Sequence, residues 1–168
     1  MTELRITAAL RARLLDHAAG GYPLEVCGLL IGVGEDDGAA LRVTRTLPCP
    51  NVAPADERRR RFAIEPRAVI NVQRALRGTS ERILGFYHSH PDAAAEPSAT
   101  DMNYVRLWPE TVWLIVPVAR GAAGLPRAWW LDGMDAAAPR ELALRTVRPS
   151  SGPVPCPDLP AHGGVPCE

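Results

Sequence analysis

The stretch from Gly85 to Asp101, GFYHSHPDAAAEPSATD, constrains this chain more than any other, because it crowds two histidines, a serine and an aspartate around a proline stop. Residues two apart on a strand point to the same face, so His88 and His90 present their rings side by side while Ser89 faces the other way. Pro91 cannot donate to a sheet ladder and helps to end the strand; the loop 92–97 then lets the chain turn back until Asp101 reaches the same place. Two imidazoles and one carboxylate form a donor set for a single zinc ion at about 2.0–2.1 Å per ligand. They leave the fourth tetrahedral position to water, which is the arrangement of a catalytic rather than a structural site.

Around this stretch the hydrophobic pattern outlines one folded unit. Ala8, Leu10, Leu14, Leu15 and Ala18 recur at helical spacing behind a capping Thr7, and Gly20 and Gly21 close the helix. Val26 to Val33 reads as a buried strand, joined through an Asp-Asp-Gly turn to a second strand from Leu41 to Leu47. Pro48 to Arg61 is an exposed loop ending in four consecutive arginines, Arg58 to Arg61, and a short strand is expected from Arg61 to Ile64. Pro66 opens a second helix to Leu76, with Val69, Ile70, Val72, Ala75 and Leu76 on its apolar side and Gly78 as its stop. Strands follow at 83–88, 112–118, 127–131 and 141–147, with a short helix at 98–107. Helices and strands in this mixed order predict an α/β (mixed α+β) domain over residues 1–148, a mixed β-sheet flanked by helices. Residues 149–168 are too rich in proline and glycine, and too poor in large apolar groups, to offset the entropy of ordering, and are expected to form a flexible tail.

Composition narrows the classes of function. With 19 basic and 19 acidic residues the formal net charge is zero, so no global field draws in nucleic acid or an anionic membrane. All the basic residues are arginine, which reads as a compositional bias or as an absence of side-chain amines for conjugation. No secretory pattern opens the chain and no apolar run reaches the ~18 residues of a membrane span, so a cytoplasmic location is expected. Cys27, Cys49, Cys156 and Cys167 show no paired spacing and are expected to be free thiols in a reducing compartment.

Water activated by zinc still needs a carboxylate to take its proton and deliver it to the leaving amine. Glu25, in Tyr22-Pro23-Leu24-Glu25-Val26-Cys27-Gly28-Leu29-Leu30, is the candidate, since its strand is expected to lie beside the histidine strand. The residues HSHPDAAAEPSATD resemble the signature of the JAMM/MPN metallopeptidases: His-x-His-Pro, six residues, then Ser-x-x-Asp, with an upstream glutamate. PLEVCGLLIG is similar to the sequence around that glutamate in bacterial members, and the likeness extends over roughly residues 4 to 147. The resemblance implies a single MPN/JAB domain of deaminase-like fold. It also implies zinc on His88, His90 and Asp101, Glu25 as general base and acid, and Ser98 polarising the scissile carbonyl. Stand-alone bacterial proteins of this type act on ubiquitin-like or sulfur carrier proteins, removing residues or an added cysteine after a terminal Gly-Gly.

Other readings compete at each position. Ser98-Ala99-Thr100-Asp101 also matches a capping box, and Asp101 is not expected both to cap a helix and to bind a metal. Glu25 taken alone is a solvated carboxylate, the arginine run a solvated loop, Cys27 a small buried residue behind the site, and Trp129 and Trp130 core and sheet-surface residues. Cys156, His162 and Cys167 are a weak candidate for a second metal, and Gly163-Gly164 resembles a carrier terminus. At the level of function, the alternatives are an isopeptidase acting on protein lysine and a non-catalytic assembly module. A nucleobase deaminase would need a Cys-rich motif that is missing.

Overall fold

The protein is described by a computed structural model covering residues 1–35, 38–105, 108, 110–131 and 139–149. Among the described residues eight strands form one mixed sheet: β1 (Glu3–Thr7), β2 (Cys27–Gly34), β3 (Ala40–Cys49), β4 (Arg82–Pro91), β5 (Thr111–Ala119), β6 (Ala122–Ala123), β7 (Arg127–Leu131) and β8 (Arg140–Val147). Their order is β4-β2-β3-β1-β8-β7-β5-β6, and the sheet curls far enough for β5 to pair with β4 as well. Among the same residues three helices accompany it: α1 (Ala8–Gly21), α2 (Pro66–Ala75) and α3 (Ala99–Val105). Among the described residues no helix is long and apolar enough to cross a membrane.

Each sheet face buries its own core. Leu30, Val43, Leu84, Tyr87, Val112, Leu114 and Val116 pack with Leu14 and Ala18 of α1, while Leu29, Ile31, Phe86, Trp113 and Ile115 pack with Val69, Val72 and Leu76 beside α2. Thr7 caps α1 as expected, its hydroxyl oxygen accepting from Leu10 N at 3.3 Å. Ile70, expected on the apolar side of α2, is instead 45% exposed, because only the Val69, Val72 and Leu76 stripe faces the sheet.

Two strands lie outside the sequence reading, and one expected strand does not form. β1 alternates half-buried and buried residues, with Leu4 and Ile6 inward, and runs parallel to both β3 and β8; β6 is a two-residue extension pairing with the end of β5. The segment from Arg61 to Ile64 is not a strand. Its backbone is taken up by Val52, whose N–H donates to Ala63 O at 2.9 Å, and by the side chain of Asn51.

β4 leans on β5 so closely at Gly85 that a Cβ there would sit 1.9 Å from the carbonyl oxygen of Val112. At Gly34 a Cβ would meet nothing within 4 Å. Gly85→Ala is therefore expected to lower stability by about 3 kcal/mol, as overpacking against backbone does. Gly34→Ala should stay within about 0.5 kcal/mol of the parent in urea unfolding. Equal midpoints for the two variants would contradict the packing described.

Candidate metal centre

The centre is built where β2 begins and β4 ends. These strands pair antiparallel with Cys27 opposite His88, and the pairing continues past the end of β2: Ser89 N donates to Val26 O at 3.0 Å and Val26 N to Ser89 Oγ at 3.0 Å. One more step in that register sets Glu25 opposite His90. Ser89 and Tyr87 point to the opposite face from the histidines, as the alternation demands. Tyr87 joins the α1 core and bonds His17 Nδ1 through its hydroxyl at 2.9 Å.

His88 Nε2 and His90 Nε2 stand 2.9 Å apart. The Asp101 carboxylate reaches both, with Oδ1 3.3 Å from His88 Nε2 and Oδ2 3.4 Å from His90 Nε2. Glu25, His88, His90 and Asp101 are 6%, 0%, 6% and 3% exposed, an uncommon density of buried ionisable groups. The chain returns as the sequence implies. Pro91 ends β4, Asp92 takes φ 55°, and its carboxylate is held by Tyr22 Oη and Arg59 Nη2, both at 3.0 Å. The loop then delivers Ser98 to the start of α3.

Asp101 caps the helix and still faces both histidines, two placements that the capping box was expected to set against each other. Ser98 N donates to Asp101 Oδ2 at 2.7 Å and Asp101 N donates to Ser98 Oγ at 3.1 Å, a reciprocal capping pair. The same carboxylate turns its oxygens toward the two histidines. The cap fixes the side chain instead of consuming it, since each carboxylate oxygen accepts more than one bond. The Ser98 hydroxyl proton has no acceptor among the described residues, so that O–H is free to donate.

The donor set fits one divalent metal ion. Ligands about 2.0–2.1 Å from a tetrahedral ion lie about 3.3 Å from one another, close to both Asp101–histidine separations; the two ring nitrogens at 2.9 Å would part by a few tenths of an ångström. His90 Nδ1 donates to Ala94 O at 2.7 Å, which directs its Nε2 lone pair into the centre, as metal-ligating histidines usually require. His88 Nδ1 is buried without a hydrogen-bond partner. Its ring is held by packing, stacked on Phe62 at 4.6 Å with Trp113 edge-on at 5.6 Å.

Electrostatics follow from burial. The Glu25 carboxyl is pushed up to about 8, chiefly by burial, with the Asp101 charge adding and His90 opposing. Burial lowers His88 despite its bonds to Asp101. Burial also acts against charge on His90, yet the bonds to Asp101 and Ala94 O outweigh it and leave its pKa raised. Burial disfavours a charged Asp101 too, but the hydrogen bonds from both histidines and from Ser98 N–H hold it well below the carboxylate range. A proton and a metal ion would therefore compete for the same His90 nitrogen.

A cavity of ≈ 830 Å³ opens between the arginine loop and α3, lined by acidic Asp56 and Glu57 as well as Arg59, Arg60 and Arg61, with Thr100 and Asn103 on the α3 side, to either side of Asp101 in sequence. Cys27 is buried, donates to Cys49 O at 3.6 Å, and burial pushes its thiol up, so it lies behind the site as an unreactive residue. Trp129 is buried, with its indole N–H on Ala95 O at 2.9 Å, and Trp130 is half-buried on the sheet. The positions Cys156, His162, Gly163, Gly164 and Cys167 lie outside the described residues. Asn51 and Phe62, which grip Glu25 and His88, carried no signal beyond turn-forming composition and an isolated aromatic.

The fold and centre define a class, and comparison with known proteins agrees. The family of prokaryotic homologs of the JAB domain matches residues 7–132, and the chain belongs to it. A desampylase from Haloferax volcanii is 39% identical over 121 residues, 68% of this chain and 82% of that protein. A probable TtuB-protein conjugate cleaving protease from Thermus thermophilus is 33% identical over 128 residues, 76% of this chain and 73% of that protein. A solution structure from Desulfitobacterium hafniense aligns with a TM-score of 0.68 at 26% identity, covering 86% of this chain and 94% of that one.

Below its ordinary value of 4.5 the Glu25 carboxyl is protonated in both folded and unfolded chains and costs nothing extra. As pH rises toward 8 the unfolded chain loses the proton and the folded chain keeps it, so the metal-free fold loses stability, by on the order of a few kcal/mol. Glu25→Gln cannot ionise. In chelator, its stability advantage over the parent should grow between pH 5 and 8 in denaturant titrations; an advantage independent of pH would contradict the burial of this carboxyl. Asp101→Asn should retain the α3 cap but lower metal affinity at least tenfold in chelator competition, and undiminished affinity would reduce Asp101 to a capping residue.

Proposed function

We propose that this chain is a zinc metallopeptidase of the JAMM type that hydrolyses an amide bond after the C-terminal Gly-Gly of a ubiquitin-like or sulfur carrier protein. The observation that carries the reading is the convergence of His88, His90 and Asp101, all buried, beside a glutamate whose carboxyl is pushed up to about 8.

In this reading His88 and His90 offer Nε2 and Asp101 its carboxylate to the ion. Zinc held there would supply Lewis acidity for a carbonyl and for a water whose pKa such a metal brings to around 7. Glu25 takes the proton from the attacking water and passes it to the departing amine. A cation nearby lowers the carboxyl from about 8 toward neutrality, where one group works efficiently in both directions. Ser98, with its hydroxyl proton free, donates to the carbonyl oxygen as negative charge develops. The cavity between the arginine loop and α3 is the space in which the carrier's terminal segment lies in this reading, and glycines let such a segment approach closely.

A second reading is cleavage of the isopeptide bond between such a carrier and a protein lysine. It is favoured by the Thermus thermophilus relative, whose name describes cleavage of protein conjugates. The domain boundary near residue 148 and a cytoplasmic setting accord with either reading.

Carrier fusions joined linearly after Gly-Gly, and matched fusions joined through a lysine side chain, separate the two bonds. Chelation should abolish cleavage and zinc restore it. Glu25→Gln should keep one metal per chain while losing turnover at least 10³-fold, and Ser98→Ala should lose about 10²-fold. Cleavage indifferent to chelator, or a fully active Gln variant, would overturn the mechanism.

A further inference from the structure

We infer that Asn51 is a positioning residue that couples the arginine loop to Glu25, an inference resting on the role proposed for Glu25. The Asn51 side chain uses its whole hydrogen-bonding capacity. Nδ2 donates to Glu25 O at 2.9 Å and to Arg61 O at 3.0 Å, and Oδ1 accepts from Ala53 N and Ala63 N, both at 3.1 Å. The amide orientation is fixed by its surroundings, because turning it over would set the NH₂ against two N–H groups and the oxygen against two carbonyls.

The consequence lies in what holds Glu25. Its residue precedes β2, and its two backbone polar groups are bonded to the arginine loop: its N–H donates to Arg58 O at 2.7 Å, and its carbonyl accepts from Asn51. Asn51 stands at one end of that loop and bonds Ala63 and Arg61 at the other, so a single side chain closes the loop and holds the residue that moves the proton. The loop also carries Arg59, which reaches Asp92 at 3.0 Å just past the histidine strand, and it lines the cavity that receives the substrate in this reading. A segment seated against the arginines thus shifts or stiffens the same backbone that aims the Glu25 carboxyl.

Asn51→Asp separates this coupling from mere loop folding. The aspartate retains both acceptor bonds, from Ala53 N and Ala63 N, and loses the two donor bonds, to Glu25 O and Arg61 O. With zinc-loaded full chain and a Gly-Gly carrier fusion, kcat should fall at least tenfold, KM should stay within about threefold, and metal content should be unchanged. Asn51→Ala should lose as much kcat and also the loop closure. Amide hydrogen exchange on the metal-free protein gives a readout that needs no turnover. In Asn51→Asp the Glu25 amide, whose acceptor Arg58 O belongs to the loop that Asn51 closes through Arg61 O, should exchange at least tenfold faster, with Ala53 and Ala63 still protected and the β2–β4 amides unchanged. Undiminished kcat, a loss carried wholly by KM or by lost metal, or unaltered Glu25 protection would each overturn the inference. A parent chain that cleaves no carrier would sink the proposed function instead, while the exchange data still decide whether Asn51 holds residue 25.

Discussion

The antiparallel register of β2 against β4 is the constraint on which the centre depends. With Cys27 opposite His88, and Val26 and Ser89 exchanging hydrogen bonds beyond it, Glu25 arrives opposite His90. A slip of one residue would send both imidazoles into the α1 core and put Tyr87 and Ser89 in their place. The two cores on either side of the sheet oppose such a slip, since every large side chain of β2 and β4 would change faces. Ser89 pins the register directly through its hydroxyl, so a residue on the opposite face from the histidines aligns Glu25 with them.

The centre itself is costly for the fold. Two histidines and two carboxyls are buried together, and His88 Nδ1 finds no hydrogen-bond partner. Unpaired buried groups of this kind cost about 1–3 kcal/mol each, and a carboxyl pushed to about 8 opposes folding near neutral pH. Asp101 offsets part of this by capping α3 while facing the rings, and Phe62 with Trp113 clamps His88 by packing alone. A cation between the three side chains would relieve the remaining frustration, because metal binding to a preformed site adds directly to stability.

Much of this was legible in the sequence, for identifiable reasons. His88 and His90 announce themselves through the two-residue strand period, and Pro91 marks the strand end at the residue where β4 stops. The α1 cap at Thr7 and the Pro66 start of α2 follow from local chemistry and appear as expected. β1 is not evident from the sequence, because its alternation rests on only two apolar residues, Leu4 and Ile6, directly before a helix. The expected strand at Arg61 to Ile64 failed because local composition does not reveal that Asn51 and Val52 claim its backbone. That a capping Asp101 also faces both histidines was hidden for a similar reason: a capping box in sequence does not say where the spare lone pairs point.

The central claim is that His88, His90 and Asp101 hold one metal ion beside Glu25. Its most direct test is anomalous diffraction across the zinc edge from crystals of protein kept free of chelators. The account predicts one strong peak within about 2.0–2.2 Å of His88 Nε2, His90 Nε2 and an Asp101 oxygen. A map with no peak among those three side chains, with the ion bound elsewhere or absent, would contradict it.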